Sequence, residues 1–505
     1  MVKLRKDHVD KLMAERRTKI MSRSSVDKDN LSVSTSSDDS TYNALQKLKD
    51  QIDEYIYRKK YVELTSVVQK VKLTLQDKMN EQPFDKFIAT GLLNDVFFFL
   101  ASLETKPFLR LKEECMMIVN LLTNGDASII TAILDKGYLD ELRRLIIDTS
   151  PNTTIFNEGV ISLINILGTN ENPNIAICPF TKTVFESSLV HLIANEVRQH
   201  YIGNREICAN VCWMMSNSLR GPMHPRVKEG IDPLKCVLDC IDSISEPSLD
   251  TTLHAIWAIH FFLEGRDEID QRIGYVHNLG ILKQLIYLFV TTNNDEIIRT
   301  CLGIFESITS KSDNLSYFSK LAICRILEKV TNRDAVVRSL SLRTTYNLIC
   351  VDETASMIAE FIDAQAFGEL IARLQIEDIE IRVQLLNVLI AFLKAVQLNQ
   401  AEVILENNTH GIEIFLSLLS DSDPKRSNKV MIRALTMVYI FIDMSDIKLQ
   451  QGSQNMGCKE TLNCKFRSYI LSLPNVENIE RCTHSNDQAV HDLAQKIYSD
   501  LHSNC

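Results

Sequence analysis

The chain has 505 residues, is 45% hydrophobic, contains only 16 Gly and 11 Pro, and carries a formal net charge of −10. This exceeds the ~250–300 residues at which a single core stops growing, so several domains or a repeat array are expected. The scarcity of Gly and Pro favours helices, the acidic balance argues against nucleic acid as the main partner, and no apolar run approaches the ~18 residues of a membrane span.

Residues 1–23 hold eight basic residues (Lys3, Arg5, Lys6, Lys11, Arg16, Arg17, Lys19, Arg23) against three acids (Asp7, Asp10, Glu15), a net of +5 that leaves −15 on the remainder. They read as a basic helix without an apolar core, so no secretory signal is expected. Such an arm can fold back onto an acidic body, and that body suits a basic peptide or protein ligand. Residues 24–42 (SSVDKDNLSVSTSSDDSTY) are rich in Ser, Thr and Asp and read as a flexible linker. Residues 43–505 read as continuously helical and apolar.

This body repeats itself. A small helix ending at Gly, with an apolar helix after it, recurs at Gly91, Gly137, Gly230, Gly280, Gly368 and Gly411. The spacings are 46, 93, 50, 88 and 43 residues. Each long gap is close to two periods, so a repeat lacking the Gly is expected inside it. A period of ~40–47 residues with two or three helices per unit is the armadillo/HEAT signature. The Gly residues are expected in the left-handed conformation that ends one helix and turns the chain. A long third helix follows, as in NEGVISLINILG, ICANVCWMMSNSL and LHAIWAIHFFLEG. The expected fold is all-α: a right-handed superhelical armadillo-repeat solenoid of about ten repeats, with the basic helix at its N-terminus. Its third helices are expected to line a concave groove.

Those helices carry Asn at one recurring position: Asn120, Asn165, Asn217 and Asn347. Four residues earlier, on the same helical face, stand Met116, Ile161, Trp213 and Arg343. An Asn amide offers a donor and an acceptor, so it can hold an extended peptide by its backbone. A Trp one turn earlier offers a flat face for a Lys stem, with cation–π gain.

The stretch NVCWMMSNSLRG, followed 44 residues on by Trp257 in HAIWAIHFFLEG, resembles consecutive repeats of the importin-α (karyopherin-α) family. That family marks its groove with W-x-x-x-N helices, and Trp213–Asn217 matches completely. Trp257 keeps the Trp, while Phe261 takes the Asn position; Glu264 and Gly265 resemble the acidic-Gly end of the repeat. PFDKFIATGLLNDVFFFL is similar to the first repeat and NIERCTHSNDQAVHDLAQKIYSDLHS to the last. KLRKDHVDKLMAERRTKI is similar to part of the importin-β-binding segment, with Leu4, Arg5, Lys6, Arg16 and Arg17 at its basic positions. The further basic cluster that mimics cargo in the family is not evident.

The resemblance implies a nuclear import adaptor. It would bind basic nuclear localisation signals in its groove, link cargo to importin-β, shuttle between cytoplasm and nucleus, and contact an export receptor with Ran-GTP through the last repeat. It implies a major site of Asn120, Asn165, Trp213, Asn217 and Trp257, with Arg220 beside it and Glu264 at the repeat end, and a minor site reduced to Arg343 and Asn347. This sequence departs from the pattern: Met116 and Ile161 replace Trp, Thr169 replaces an acid with Glu171 nearby, and Gly303/Ser307 stand for the first minor pair. Arg343 in a groove for cations repels Lys or Arg unless it is paired.

No enzyme is expected, since GxxxxGK[ST], GxGxxG, HExxH and GxSxG are all absent. No cofactor is expected either. Cys208/Cys212 and Cys236/Cys240 are i,i+4 pairs that read as buried thiols or, alternatively, as zinc ligands. The alternatives to an import adaptor are an armadillo scaffold or a chaperone cofactor with no import role.

Overall fold

The computed structural model describes residues 39–502, apart from 79–82, 103–105, 170–177, 221–226, 245–246, 265–267, 312–317, 352–357, 359–363, 397, 421–426 and 453–462. The basic helix expected over residues 1–23, with Leu4, Arg5, Lys6, Arg16 and Arg17, lies outside the described residues, as does Glu171. Among the described residues there is no β-strand. The helices fall into two compact units, Met1–Tyr275 and Val276–Cys505.

The first unit opens with α1 (Asp39–Tyr57). This helix starts inside the segment read as linker, because Thr41, Leu45 and Ile52 share one face and are all buried. In order follow α2 (Tyr61–Asp77), α3 (Phe84–Ala89), α4 (Leu92–Ser102), α5 (Leu109–Leu122), α6 (Ala127–Asp135), α7 (Tyr138–Thr149) and α8 (Thr153–Gly168). Next come α9 (Thr181–Glu186), α10 (Leu189–Glu196) with a π-helical turn at Val197–Tyr201, α11 (Arg205–Leu219), α12 (Val227–Ser243) and α13 (Leu249–Glu264). The division between units falls within α14 (Ile269–Asn278). The long helices α2, α5, α8, α11 and α13 each pack on the next.

The second unit holds α15 (Ile281–Thr291), α16 (Asp295–Thr309), α17 (Lys320–Lys329), α18 (Ala335–Ile349), α19 (Ala364–Arg373), α20 (Ile379–Ala395), α21 (Leu398–Asn407) and α22 (Gly411–Ser417). It ends with α23 (Asn428–Gly452), α24 (Asn463–Ser472), α25 (Glu477–Cys482) and α26 (Gln488–His502). Here α16, α18, α20, α23 and α26 pack in succession. Each unit is an all-α solenoid.

The start of most long helices is fixed by a side-chain cap. Asn152, Asn204 and Asn294 accept from the backbone N–H of Ile155, Ile207 and Ile297, and Asp334 from that of Val336. Each satisfies a donor left open in the first turn and holds the chain at the angle where the long helix begins. Basic side chains serve several C-termini. Lys112 Nζ and Arg144 Nη2 both donate to the Leu100 carbonyl at 2.6 Å, near the end of α4. Arg272 donates to the Phe262 carbonyl at 2.9 Å while its guanidinium lies over the Phe262 ring. Positive charge there complements the helix dipole.

The recurring glycines divide into two kinds. Gly91, Gly137 and Gly280 take the left-handed conformation, as expected. Gly230 does not: α12 runs straight through it and through Pro233. A side chain at Gly230 would meet the Phe262 ring at 3.0 Å, so its smallness lets α12 approach α13. Gly411 likewise leaves room for Ile371, 2.9 Å from where a Cβ would stand. Between them the helices bury a continuous apolar core in each unit. In the second, Phe305 is held edge-on between Phe289 and Phe318, with both centroids at 5.3 Å.

Candidate functional site

The Asn row predicted from sequence lies on α5, α8 and α11, three long helices that pack side by side. Asn120, Asn165 and Asn217 are all buried, and their amides cross between neighbouring helices. Asn165 Nδ2 donates to Asn120 Oδ1 and to Thr123 Oγ1, both at 3.1 Å. Asn120 Nδ2 donates to Glu158 Oε2 at 2.5 Å. Asn217 Nδ2 donates to the Ile164 carbonyl at 3.3 Å, while its Oδ1 is buried and accepts nothing. The row therefore ties repeat to repeat and leaves one acceptor unused. A buried polar atom without a partner costs ~1–3 kcal/mol.

The two tryptophans sit on α11 and α13, each against other rings. Trp213 is 6% exposed, and its indole lies flat on the His254 imidazole with centroids 5.1 Å apart and planes within 7°. Trp257, 3% exposed, stacks on Phe261 at 5.4 Å and meets His260 edge-on at 5.2 Å. His260 Nε2 stands 3.6 Å from Glu264 Oε1. Phe261, where the sequence pattern asks for Asn, is thus the ring stacked on Trp257. Arg220 is buried and donates to the Leu167 carbonyl at 3.4 Å, near the C-terminal end of α8. Ile161, one turn before Asn165, is half-buried, and Met116, one turn before Asn120, is fully buried.

In the second unit, Arg343 on α18 forms an ion pair with Glu306 on α16, so the cation that looked repulsive in sequence has a partner. Asn347, one turn on, donates to Thr309 Oγ1 at 3.1 Å. Ser307 is buried beside Glu306. On the next pair of long helices, Arg433 Nε donates to Asn387 Oδ1 at 2.5 Å. This face, like its counterpart in the first unit, uses its polar side chains to join neighbouring repeats.

Two residues at the site escaped the sequence reading: Glu158 and Glu306. Each lies within two turns of a chosen residue on its own helix, Asn165 and Ser307. Contacts with residues 38 and 37 positions away give them their roles. Periodicity locates a face but does not say which neighbour a side chain reaches.

The two cysteine pairs come together, since α11 packs on α12 and all four thiols are buried. Nevertheless, among the described residues no group of three or more His, Cys, Asp or Glu is arranged to hold a metal ion. No single helix among them is long and apolar enough to cross a membrane.

No family model matches the sequence, and no curated protein matches it significantly. The structure is similar to that of a crystallised engineered protein over 91% of this chain and 99% of the other, with a TM-score of 0.62 and 15% identity. At that identity the likeness speaks to the fold alone. A designed armadillo repeat protein aligns with 50% of this chain and 98% of its own, at a TM-score of 0.38 and 14% identity. A score that low adds nothing, and the assignment as an armadillo-like helical repeat rests on the order of short and long helices and their period.

Proposed function

We propose that this protein is a nuclear import adaptor of the importin-α kind. It holds an extended, Lys/Arg-rich signal of cargo proteins along its long helices, and its basic N-terminal arm recruits importin-β. In this reading Asn120, Asn165, Trp213, Asn217 and Trp257 form the main contact row. Arg220 and Glu264 flank it, and the Arg343/Asn347 face contributes little. The last repeat meets an export receptor with Ran-GTP, and the protein moves between cytoplasm and nucleus.

The observation that carries this reading is the Asn217 amide, whose buried Oδ1 has no donor in the row of cross-helix amides. A backbone N–H of an extended peptide is a donor of the right type, and an acceptor of that kind reads main chain rather than side chain. The net charge of −15 on residues 24–505 favours a basic ligand.

The second reading, a repeat scaffold with no import role, is favoured by the same region. Trp213 already has a ring on its face, and Arg343 already neutralises Glu306. Two measurements separate the readings. A peptide of residues 1–25 is titrated against importin-β at low and high salt, and a Lys-rich signal peptide against the whole protein and its Trp213→Ala/Asn217→Ala variant. Salt-sensitive binding of the arm, with loss of signal binding in the variant, supports the adaptor. No arm binding, together with equal signal binding by both proteins, leaves the scaffold.

A further inference from the structure

One face of the second unit keeps polar groups that its neighbouring repeats leave open. Gln384 Nε2 on α20 donates to Ser339 Oγ on α18 at 2.9 Å, and Asn387 on α20 accepts from Arg433 on α23. Arg343 and Asn347 follow Ser339 by one and two turns, and Asn387 follows Gln384 by one, so these side chains share a face.

Its amides differ from those of the first unit, where Asn165 bonds to Asn120 and Asn120 to Glu158. Asn347 donates to Thr309, and its Oδ1 accepts nothing among the described residues. Asn387 Oδ1 is taken by Arg433, a group that can only donate, so its Nδ2 points elsewhere, and it donates to nothing among them. Both residues are half-buried, so solvent reaches them. The two guanidinium groups are also partly engaged. Arg343 gives Nη2 to Glu306, and Arg433 gives Nε to Asn387 and Nη1 to the Lys429 carbonyl. Their remaining N–H groups meet no acceptor among the described residues.

Charge agrees with this. Lys429 stands one turn before Arg433 and Lys394 two turns after Asn387, and both are exposed. On α18, α20 and residues 428–443 the acids are Glu380 and Asp443, against Arg338, Arg343, Arg382, Lys394, Lys429 and Arg433, a net of +4 in a chain of −10. Arg338 is held by Glu377 and Arg382 by the Gln375 carbonyl, which leaves the other four cations for this face.

We propose that this face binds an extended Asp/Glu-rich segment of a protein partner. Asn347 Oδ1 and Asn387 Nδ2 offer an acceptor and a donor to its main chain. Arg343 and Arg433 pair with its carboxylates, which match the parallel N–H groups of a guanidinium. Side chains alternate along a strand, so carboxylates at every second residue reach the face. Glu306, 8% exposed at its side chain, remains the counter-charge that orients Arg343. The adaptor reading is not needed for this: the helices differ, and the ligand has the opposite charge.

Neighbouring helices lie ~8–10 Å apart, so a strand crossing from α18 to α23 needs about six residues. A labelled peptide of about eight residues that alternates Glu and Ser is titrated by anisotropy against the whole protein. It is expected to bind at low salt, to weaken ~10-fold at high salt, and not to be displaced by its Lys/Ser counterpart. Arg343→Gln and Arg433→Gln are each expected to weaken it ~3–10-fold. Arg143→Gln, at an exposed cation on α7, is expected to leave it unchanged. Because Arg433 also holds Asn387, Arg433→Lys separates charge from folding: it loses the fork, keeps the charge and is expected to retain most of the binding. No binding of the Glu peptide, native affinity in either Gln variant, equal weakening by Arg143→Gln, or an Arg433→Lys variant as weak as Arg433→Gln overturns the proposal. So does displacement by the Lys/Ser peptide, or tighter binding of a single-stranded oligonucleotide at the same face.

Discussion

The indole of Trp213 and the imidazole of His254 lie face to face, 5.1 Å between centroids, across the contact of α11 with α13. The surface a Lys stem would use is thereby already occupied by a ring from the next repeat. If this face takes basic peptides, His254 is the competitor for it. His254→Ala is expected to tighten a labelled Lys-rich peptide by ~3–30-fold, the worth of one cation–π stack. Anisotropy titration reads this directly, and unchanged affinity would remove Trp213 from the contact row.

Asn217 separates stability from binding. Asn217→Leu loses one 3.3 Å hydrogen bond to the Ile164 carbonyl and also removes an unsatisfied buried acceptor. The two effects are each ~1 kcal/mol and opposite in sign, so the melting temperature is expected to stay within a few degrees. Peptide affinity is expected to fall about tenfold, since a contact made only with ligand is gone. A variant that melts far lower, or that binds as before, contradicts this.

The Arg343–Glu306 pair predicts a gain of function. Arg343 is about 42% exposed at its side chain, whereas the Glu306 side chain is 8% exposed, so solvent reaches the cation more than its partner. Arg343→Ala uncovers the Glu306 carboxylate. Binding of a basic peptide to this face is expected to strengthen several-fold at low salt and to lose that gain at high salt. Equal affinity in both proteins at low salt would show that the face takes no basic ligand.

Lys112 predicts a pH dependence. It is fully buried, and burial, followed by the nearby Arg144 charge, lowers its pKa below the ordinary lysine value. Between the lowered folded value and 10.5 the unfolded chain binds more protons than the folded one, so this group makes stability rise as pH rises through that window. Lys112→Met keeps most of the volume and leaves Arg144 on the Leu100 carbonyl. The variant is expected to be more stable by ~1 kcal/mol at neutral pH and to lose the alkaline rise. Thermal melts from pH 7 to 10 decide it; a destabilised variant at neutral pH would mean the Lys112 hydrogen bond outweighs its burial.

The sequence by itself determined the helical class, the repeat and the face on which the Asn row stands. Those properties are periodic: apolar spacing sets the helix, Gly137 and Gly280 set turns, and Asn120, Asn165 and Asn217 recur because equivalent helices repeat. Tertiary structure alone decided what each side chain on that face does. Gly230 serves close packing against Phe262 rather than a turn, His254 covers Trp213, and Glu306 neutralises Arg343. All three depend on which atoms of two helices come within a few ångströms across an interface. That distance follows from how neighbouring repeats pack, and spacing along one chain does not encode it.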